Sequence, residues 1–163
     1  MTEKAGKPSP EVVVIGVGNE MRGDDAAGIL AARLLREQLD PAAALILEQP
    51  GEALGLLEQW EGFQAAVIID AIGAGLTAGT LLRHDASSGP LPAALRSSTS
   101  THLVGVGESI ELARAIGRLP ARIVLHGVQG LSFDTGCGVS QPVARAIGAL
   151  TERVRIEVGA LSA

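Results

Sequence analysis

Three side chains that lie far apart in the chain have the chemistry to act together: Asp25, Asp70 and His102. Asp25 follows an apolar run, Val12 to Val17, and a glycine-containing turn with Gly16, Gly18 and Gly23. Asp70 closes a second apolar run, Ala65 to Asp70. His102 follows the Ser/Thr-rich stretch Ser97 to Thr101 and precedes a helical pattern that starts near Val106. Two carboxylates and one imidazole form a mixed oxygen and nitrogen donor set suited to a divalent metal such as zinc or nickel. Three protein donors leave a position for water or a substrate group. A helix N-terminus near His102 would keep its imidazole neutral, as a ligand must be.

The elements around these residues explain how they could meet. Unbroken apolar runs at Val12–Val17, Ala65–Asp70 and Arg122–Val128 read as strands buried on both faces. A helix is expected from Asp24 to Gln38, stopped by Asp40-Pro41. A short strand follows at Ala44–Glu48, then a short helix at Ala53–Trp60. Gly79–Arg83 reads as a return strand, and Asp85–Ser100, rich in Ser, Pro and Gly, as a long loop. Helices are expected at Val106–Ile116 and at Pro142–Val154, the latter with Ser140 as N-cap and Pro142 in its first turn. Strands alternating with helices give an α/β layered fold with a largely parallel sheet. If the first and third strands are neighbours, with the second on the other side of the first, Asp25 and Asp70 share the C-terminal edge where such sheets bind ligands.

Composition narrows the function classes. A chain of 163 residues, 47% hydrophobic and 19% charged, is globular, and residues 11–163 are expected to form one domain behind a disordered arm at 1–10. A chain of this size buries roughly 70% of its unfolded surface. The formal net charge of -5 and the near absence of aromatics, with no Tyr, argue against a nucleic-acid partner. The single cysteine, Cys137, excludes an internal disulfide and fits a reducing compartment, so the expected home is the cytoplasm. Mean hydropathy is +0.32, yet no run approaches the ~18 apolar residues of a spanning helix.

Blander roles compete for each residue. Asp24 and Asp25 open a helix, where a carboxylate caps free N–H groups. One cap accounts for one of them, and Asp24 is assigned that role. His84 and His126 read as structural, and Cys137, between two glycines, as an inert thiol. Gly16 and Gly18 imitate a dinucleotide fingerprint with Glu48 as a ribose ligand, but position 21 is Met where a third glycine belongs. A nucleotide-binding protein is therefore one alternative. A non-proteolytic, nickel-dependent docking module is another.

Four ordered motifs resemble the hydrogenase maturation protease family, endopeptidases that trim the large subunit of NiFe hydrogenases. The opening strand and glycine–acid turn correspond to Gly16-Val17-Gly18-Asn19 and Gly23-Asp24-Asp25-Ala26-Ala27-Gly28. Ile68-Ile69-Asp70-Ala71 corresponds to the second motif. Ser100-Thr101-His102, with Glu108 to Leu112, corresponds to the third. Pro120 and Gly127-Val128-Gln129 correspond to the fourth. The chain departs from the family pattern at Glu48-Gln49-Pro50-Gly51, at Gly130, and at Glu20 and Arg22.

The resemblance implies a three-layer αβα fold on a mixed five-stranded sheet of order 2-1-3-5-4, with strand 4 antiparallel. It implies catalytic and metal contacts by Asp25, Asp70 and His102, with Gly18, Asn19, Gly23 and Gln129 as candidates for the loops bordering the substrate. The metal is expected to be nickel carried by the substrate, or zinc. The implied partner is a nickel-loaded hydrogenase large-subunit precursor, from which a C-terminal peptide is removed.

Overall fold

The computed structural model describes residues 9–50, 52–96 and 105–163. Five strands, β1 (Val12–Val17), β2 (Leu45–Gln49), β3 (Ala65–Ile72), β4 (Leu81–Asp85) and β5 (Arg122–Gln129), form one sheet of order β2-β1-β3-β5-β4. β1 is parallel to β2 and β3, β3 is parallel to β5, and β4 runs antiparallel to β5. This is the expected sheet. The helices are α1 (Ala27–Gln38), α2 (Leu56–Gln59), α3 (Ala93–Arg96), α4 (Val106–Ala115) and α5 (Gln141–Leu161).

Alternation along the central strands builds two cores. Val12 and Val14 of β1, with Val67 and Ile69 of β3, pack against Ala31 and Leu35 of α1 and Leu150 and Val154 of α5. Val13, Ile15 and Ile68 face Leu56 of α2, Trp60 and Ile110 of α4 on the other side. Burial on both faces is why these strands read as continuous apolar runs. Trp60 is fully buried, and its indole N–H donates to the Arg118 carbonyl at 2.9 Å.

The contact between α1 and the sheet is unusually close because it is made through glycine. A Cβ on Gly28, in the first turn of α1, would run into the carbonyl oxygens of Ile69 and Val17. One on Gly16 of β1 would run into the Gly28 carbonyl. The start of α1 is thereby held directly over β1 and β3, and the residues just before it are held at the sheet edge.

Several boundaries differ from those expected. The helix expected from Asp24 begins instead with a 3₁₀ turn over Gly23–Ala26, and α1 starts at Ala27. β3 continues two residues past Asp70, because Ala71 and Ile72 still pair with Val128 and Gln129. A short helix, α3, lies within the stretch read as loop. The last helix runs seven residues beyond Val154, its buried stripe continuing from Val143, Ile147, Leu150 and Val154 to Val158. Most of the expected N-terminal arm lies outside the described residues. Among the described residues, no helix is long and apolar enough to cross a membrane.

Candidate functional site

The β1–β3 pairing ends at Gly16 and Ile69. Asp70 is the next residue on β3, while the chain leaving β1 turns away at Gly18. Gly18 has φ 150°, and a Cβ there would collide with the Asp25 carbonyl oxygen, so only glycine lets the turn fold back over Asp25. The Gly18 N–H donates to the Gln49 carbonyl of β2 at 3.2 Å, which ties the turn to the neighbouring strand. Asn19 then shapes the loop twice. Its backbone N–H donates to Asp25 Oδ2 at 2.9 Å, and its side-chain Oδ1 accepts the Met21 N–H at 2.9 Å. The Asp25 N–H donates to the Arg22 carbonyl at 3.1 Å, which closes the 3₁₀ turn.

Asp25 is buried and Asp70 partly so, and the two carboxylates interact. Burial first, and the Asp25 carboxylate second, push the Asp70 carboxyl well above the ordinary carboxylate range; an Ala71 N–H bond favouring the anion opposes them. A cation beside the two would offset their mutual repulsion and favour the Asp70 anion against its burial, so the two carboxylates could serve as metal donors. Among the described residues, no group of three His, Cys, Asp or Glu side chains is placed to hold an ion. His102 and the Ser97–Thr101 loop, the expected third contribution, lie outside the described residues.

Asp24 does not cap a helix; the expectation of a simple N-cap is corrected. Its fully buried carboxylate accepts four bonds from the loop between β5 and α5. Oδ2 takes the Leu131 N–H at 2.7 Å, the Ser132 N–H at 3.1 Å and the Ser140 hydroxyl at 2.8 Å. Oδ1 takes the Ser140 N–H at 2.7 Å. Burial alone would raise the Asp24 pKa, but the backbone bonds from Leu131, Ser140 and Ser132 and the Ser140 hydroxyl outweigh it and hold the carboxyl low. The Ser140 hydroxyl is thus spent on Asp24 and makes no capping bond to α5. Sequence reasoning missed this tether because Asp24 and Ser140 are 116 residues apart. The available signal was a surplus acid beside the one already assigned to the site.

The other loop candidates have defined jobs. Gly23 donates its N–H to the Cys137 carbonyl at 3.1 Å. Gln129 is buried; its Oε1 accepts the Ala74 and Leu76 N–H groups at 2.8 and 3.3 Å, and its Nε2 donates to the Gly130 carbonyl at 2.9 Å. Its amide organises the β3–β4 connection. Beside Asn19 opens a groove of about 420 Å³ lined by Gly18, Met21, Ile29, Arg33 and Pro50 among others. Arg33 forms its charged wall, with Nε donating to Glu48 Oε1 at 2.7 Å and Nη1 to Glu20 Oε2 at 3.0 Å. Glu48, a ribose ligand in the nucleotide reading, is occupied by this arginine. His126 is buried in β5, with Nε2 3.7 Å from Glu157 Oε1.

Known proteins share this fold. A family model for hydrogenase maturation protease matches residues 29–156, which includes Asp70 and starts just after Asp25. The hydrogenase expression/formation protein HupD of Rhodobacter capsulatus is 32% identical over 150 residues, covering 88% of this chain and 70% of that one. HupD of Thiocapsa roseopersicina is 27% identical over 137 residues, which are 83% of this chain and 62% of the relative, so the chain spans somewhat under two thirds of that protein. In structure, the hydrogenase maturating endopeptidase HybD of E. coli superposes with a TM-score of 0.74 at 27% identity, covering 88% of each chain. HybD from Thermococcus kodakarensis, a NiFe hydrogenase maturation protease, gives 0.68 at 26% identity over 90% of this chain and 98% of that one. With the family model covering most of the chain, and the sheet order and paired acids in place, this chain belongs to the hydrogenase maturation protease family.

Proposed function

We propose that this protein is an endopeptidase that removes a C-terminal peptide from the nickel-loaded precursor of a NiFe hydrogenase large subunit, in a cytoplasmic setting. The observation that carries the reading is the coupled pair Asp25 and Asp70 at the C-terminal edge of β1 and β3, at the switch point between strands where an α/β sheet receives its ligand. Membership of a protease family, with structural relatives titled as endopeptidases, supports hydrolysis as the reaction. The groove beside Asn19 supports a peptide as the substrate.

In this reading Asp25 and Asp70 face the nickel that the precursor carries, and His102 supplies a nitrogen donor beside them. The ion is part of the substrate and contributes charge that polarises the scissile carbonyl or a water. The chain's own residues provide the rest. Asn19 fixes the Asp25 carboxylate through its backbone N–H, Gly18 lets that turn close, and burial keeps the Asp70 carboxyl avid for positive charge. A site that holds two acids at such cost responds to the presence of a cation, which makes nickel loading the condition for trimming.

The test is to mix the purified protein with the precursor in nickel-loaded and nickel-free forms and weigh the products by mass spectrometry. A single shortened chain from the loaded form alone is expected. Equal trimming of both forms would remove nickel from the account, and nickel-dependent binding without any trimming would favour the docking alternative.

A further inference from the structure

Asp24 does not line the groove, yet it sits beside Asp25 and makes bonds that hold the two loops at this edge together. It joins the β1–α1 turn, residues 18–26, to the β5–α5 loop, residues 130–140, through Leu131, Ser132 and Ser140. The two loops also meet through backbone. Gly136 donates its N–H to the Met21 carbonyl at 2.9 Å, Gly23 donates to Cys137, and Arg22 Nη2 donates to the Phe133 carbonyl at 3.3 Å. Each loop presents one large apolar side chain to solvent: Met21 is 68% exposed and Leu131 is 64% exposed. Apolar side chains displayed on loops that are firmly held are preorganised contacts, since binding them costs little further ordering.

We propose that Asp24 is a positioning residue for precursor recognition: it clamps the β5–α5 loop onto the turn that bears Asp25 and so sets Met21 and Leu131 as a two-point apolar rest for the precursor polypeptide. This rests on the endopeptidase reading above for the identity of the occupant. The clamp is assigned to recognition because the Asp24 carboxylate bonds to Leu131, Ser132 and Ser140, all in the loop that carries Leu131. Ser140 belongs to the clamp as the residue that gives it both an N–H and a hydroxyl.

The experiment measures precursor binding by fluorescence titration and trimming by mass spectrometry for the wild type and for Asp24→Asn, Ser140→Ala, Ser140→Thr and Leu131→Ser, well below each variant's melting temperature. Asp24→Asn is expected to weaken Kd and raise KM about tenfold, a loss of ~1.4 kcal/mol of recognition, with kcat close to the wild type. Leu131→Ser should do the same to KM without lowering thermal stability, an effect that a purely structural role for the loop would not produce. Ser140→Ala should be intermediate, and Ser140→Thr, which keeps the hydroxyl, should restore wild-type binding. Hydrogen exchange should show the Leu131 and Ser132 amides losing protection in Asp24→Asn while β1 and β3 keep theirs. If Asp24→Asn does not fold, Ser140→Ala and Leu131→Ser carry the test. Unchanged Kd and KM in Asp24→Asn and Leu131→Ser would overturn the proposal. A wild type that binds the precursor but trims nothing would instead overturn the endopeptidase reading, and the Kd values would still decide the role of Asp24.

Discussion

Two aspartates, Asp24 and Asp70, are driven in opposite directions by their surroundings, and the difference separates their roles. Asp24 is an anion by design of its partners: four donors converge on it, and its carboxyl is held low. Its contribution to stability is present above the unfolded carboxylate pKa near 3.9 and is lost as pH falls through the depressed folded value. Asp70 is the reverse. Burial and then Asp25 raise its carboxyl, so the folded state favours the protonated form. The anionic form therefore weakens the fold, and that penalty grows as pH rises from the unfolded pKa through the raised folded one. Asp70→Asn removes the penalty. In the presence of a chelator, this variant should melt a few degrees above the wild type at pH 7.5, and the gain should vanish near pH 3.5. A melting point unchanged or lowered at pH 7.5 would mean that the Asp70 carboxyl is not strained. At the same scale, truncating Asp24 to Ala should cost about 3 kcal/mol of stability, since it strands buried N–H groups; chemical denaturation at neutral pH measures it.

The elements show why acids with such different jobs can be neighbours. A 3₁₀ turn, not a regular helix start, carries Gly23 to Ala26, so Asp24 and Asp25 point to different partners before α1 begins. That turn is held by the close approach of α1 to β1 and β3 through Gly28 and Gly16. Gly28→Ala would drive a methyl group into two backbone carbonyls, which neither rotamer change nor side-chain motion can relieve. It should destabilise the fold by about 3 kcal/mol or more, at the upper end for overpacking, whereas Gly148→Ala on α5, where a Cβ meets nothing within 4 Å, should be neutral or mildly stabilising. Urea titration of the two variants compares them directly. The strands were legible in the sequence because burial on both faces leaves an unbroken apolar run, as at Ala65–Ile69. The end of α5 was not, because Glu152, Arg153 and Arg155 interrupt the apolar residues that its buried stripe spaces at one per turn. The 3₁₀ turn was also hidden, since its residues are equally good first-turn residues of an α-helix. Asp25 and Asp70 could be paired from the strand ends that carry them. The tether from Asp24 to Ser140 could not, because local spacing says nothing about partners on opposite ends of the chain.

For the molecule as a whole, one edge of the sheet collects the described residues on which the proposed function rests. The β1–α1 turn brings Asp25, β3 brings Asp70, Gln129 of β5 orders the β3–β4 connection, and Asp24 fastens the β5–α5 loop alongside. The two cores on either face of the sheet support the loops at that edge. The proposed reaction requires Asp25 and Asp70 to act as one unit. Rates of precursor trimming for Asp25→Asn, Asp70→Asn and the double variant, all checked for cooperative unfolding, test this most directly. Either single substitution should reduce the rate by about 10³-fold or more, and the double variant should be no slower than the worse single one, as groups that act together behave. Full activity in either single variant, or losses that multiply in the double, would contradict it.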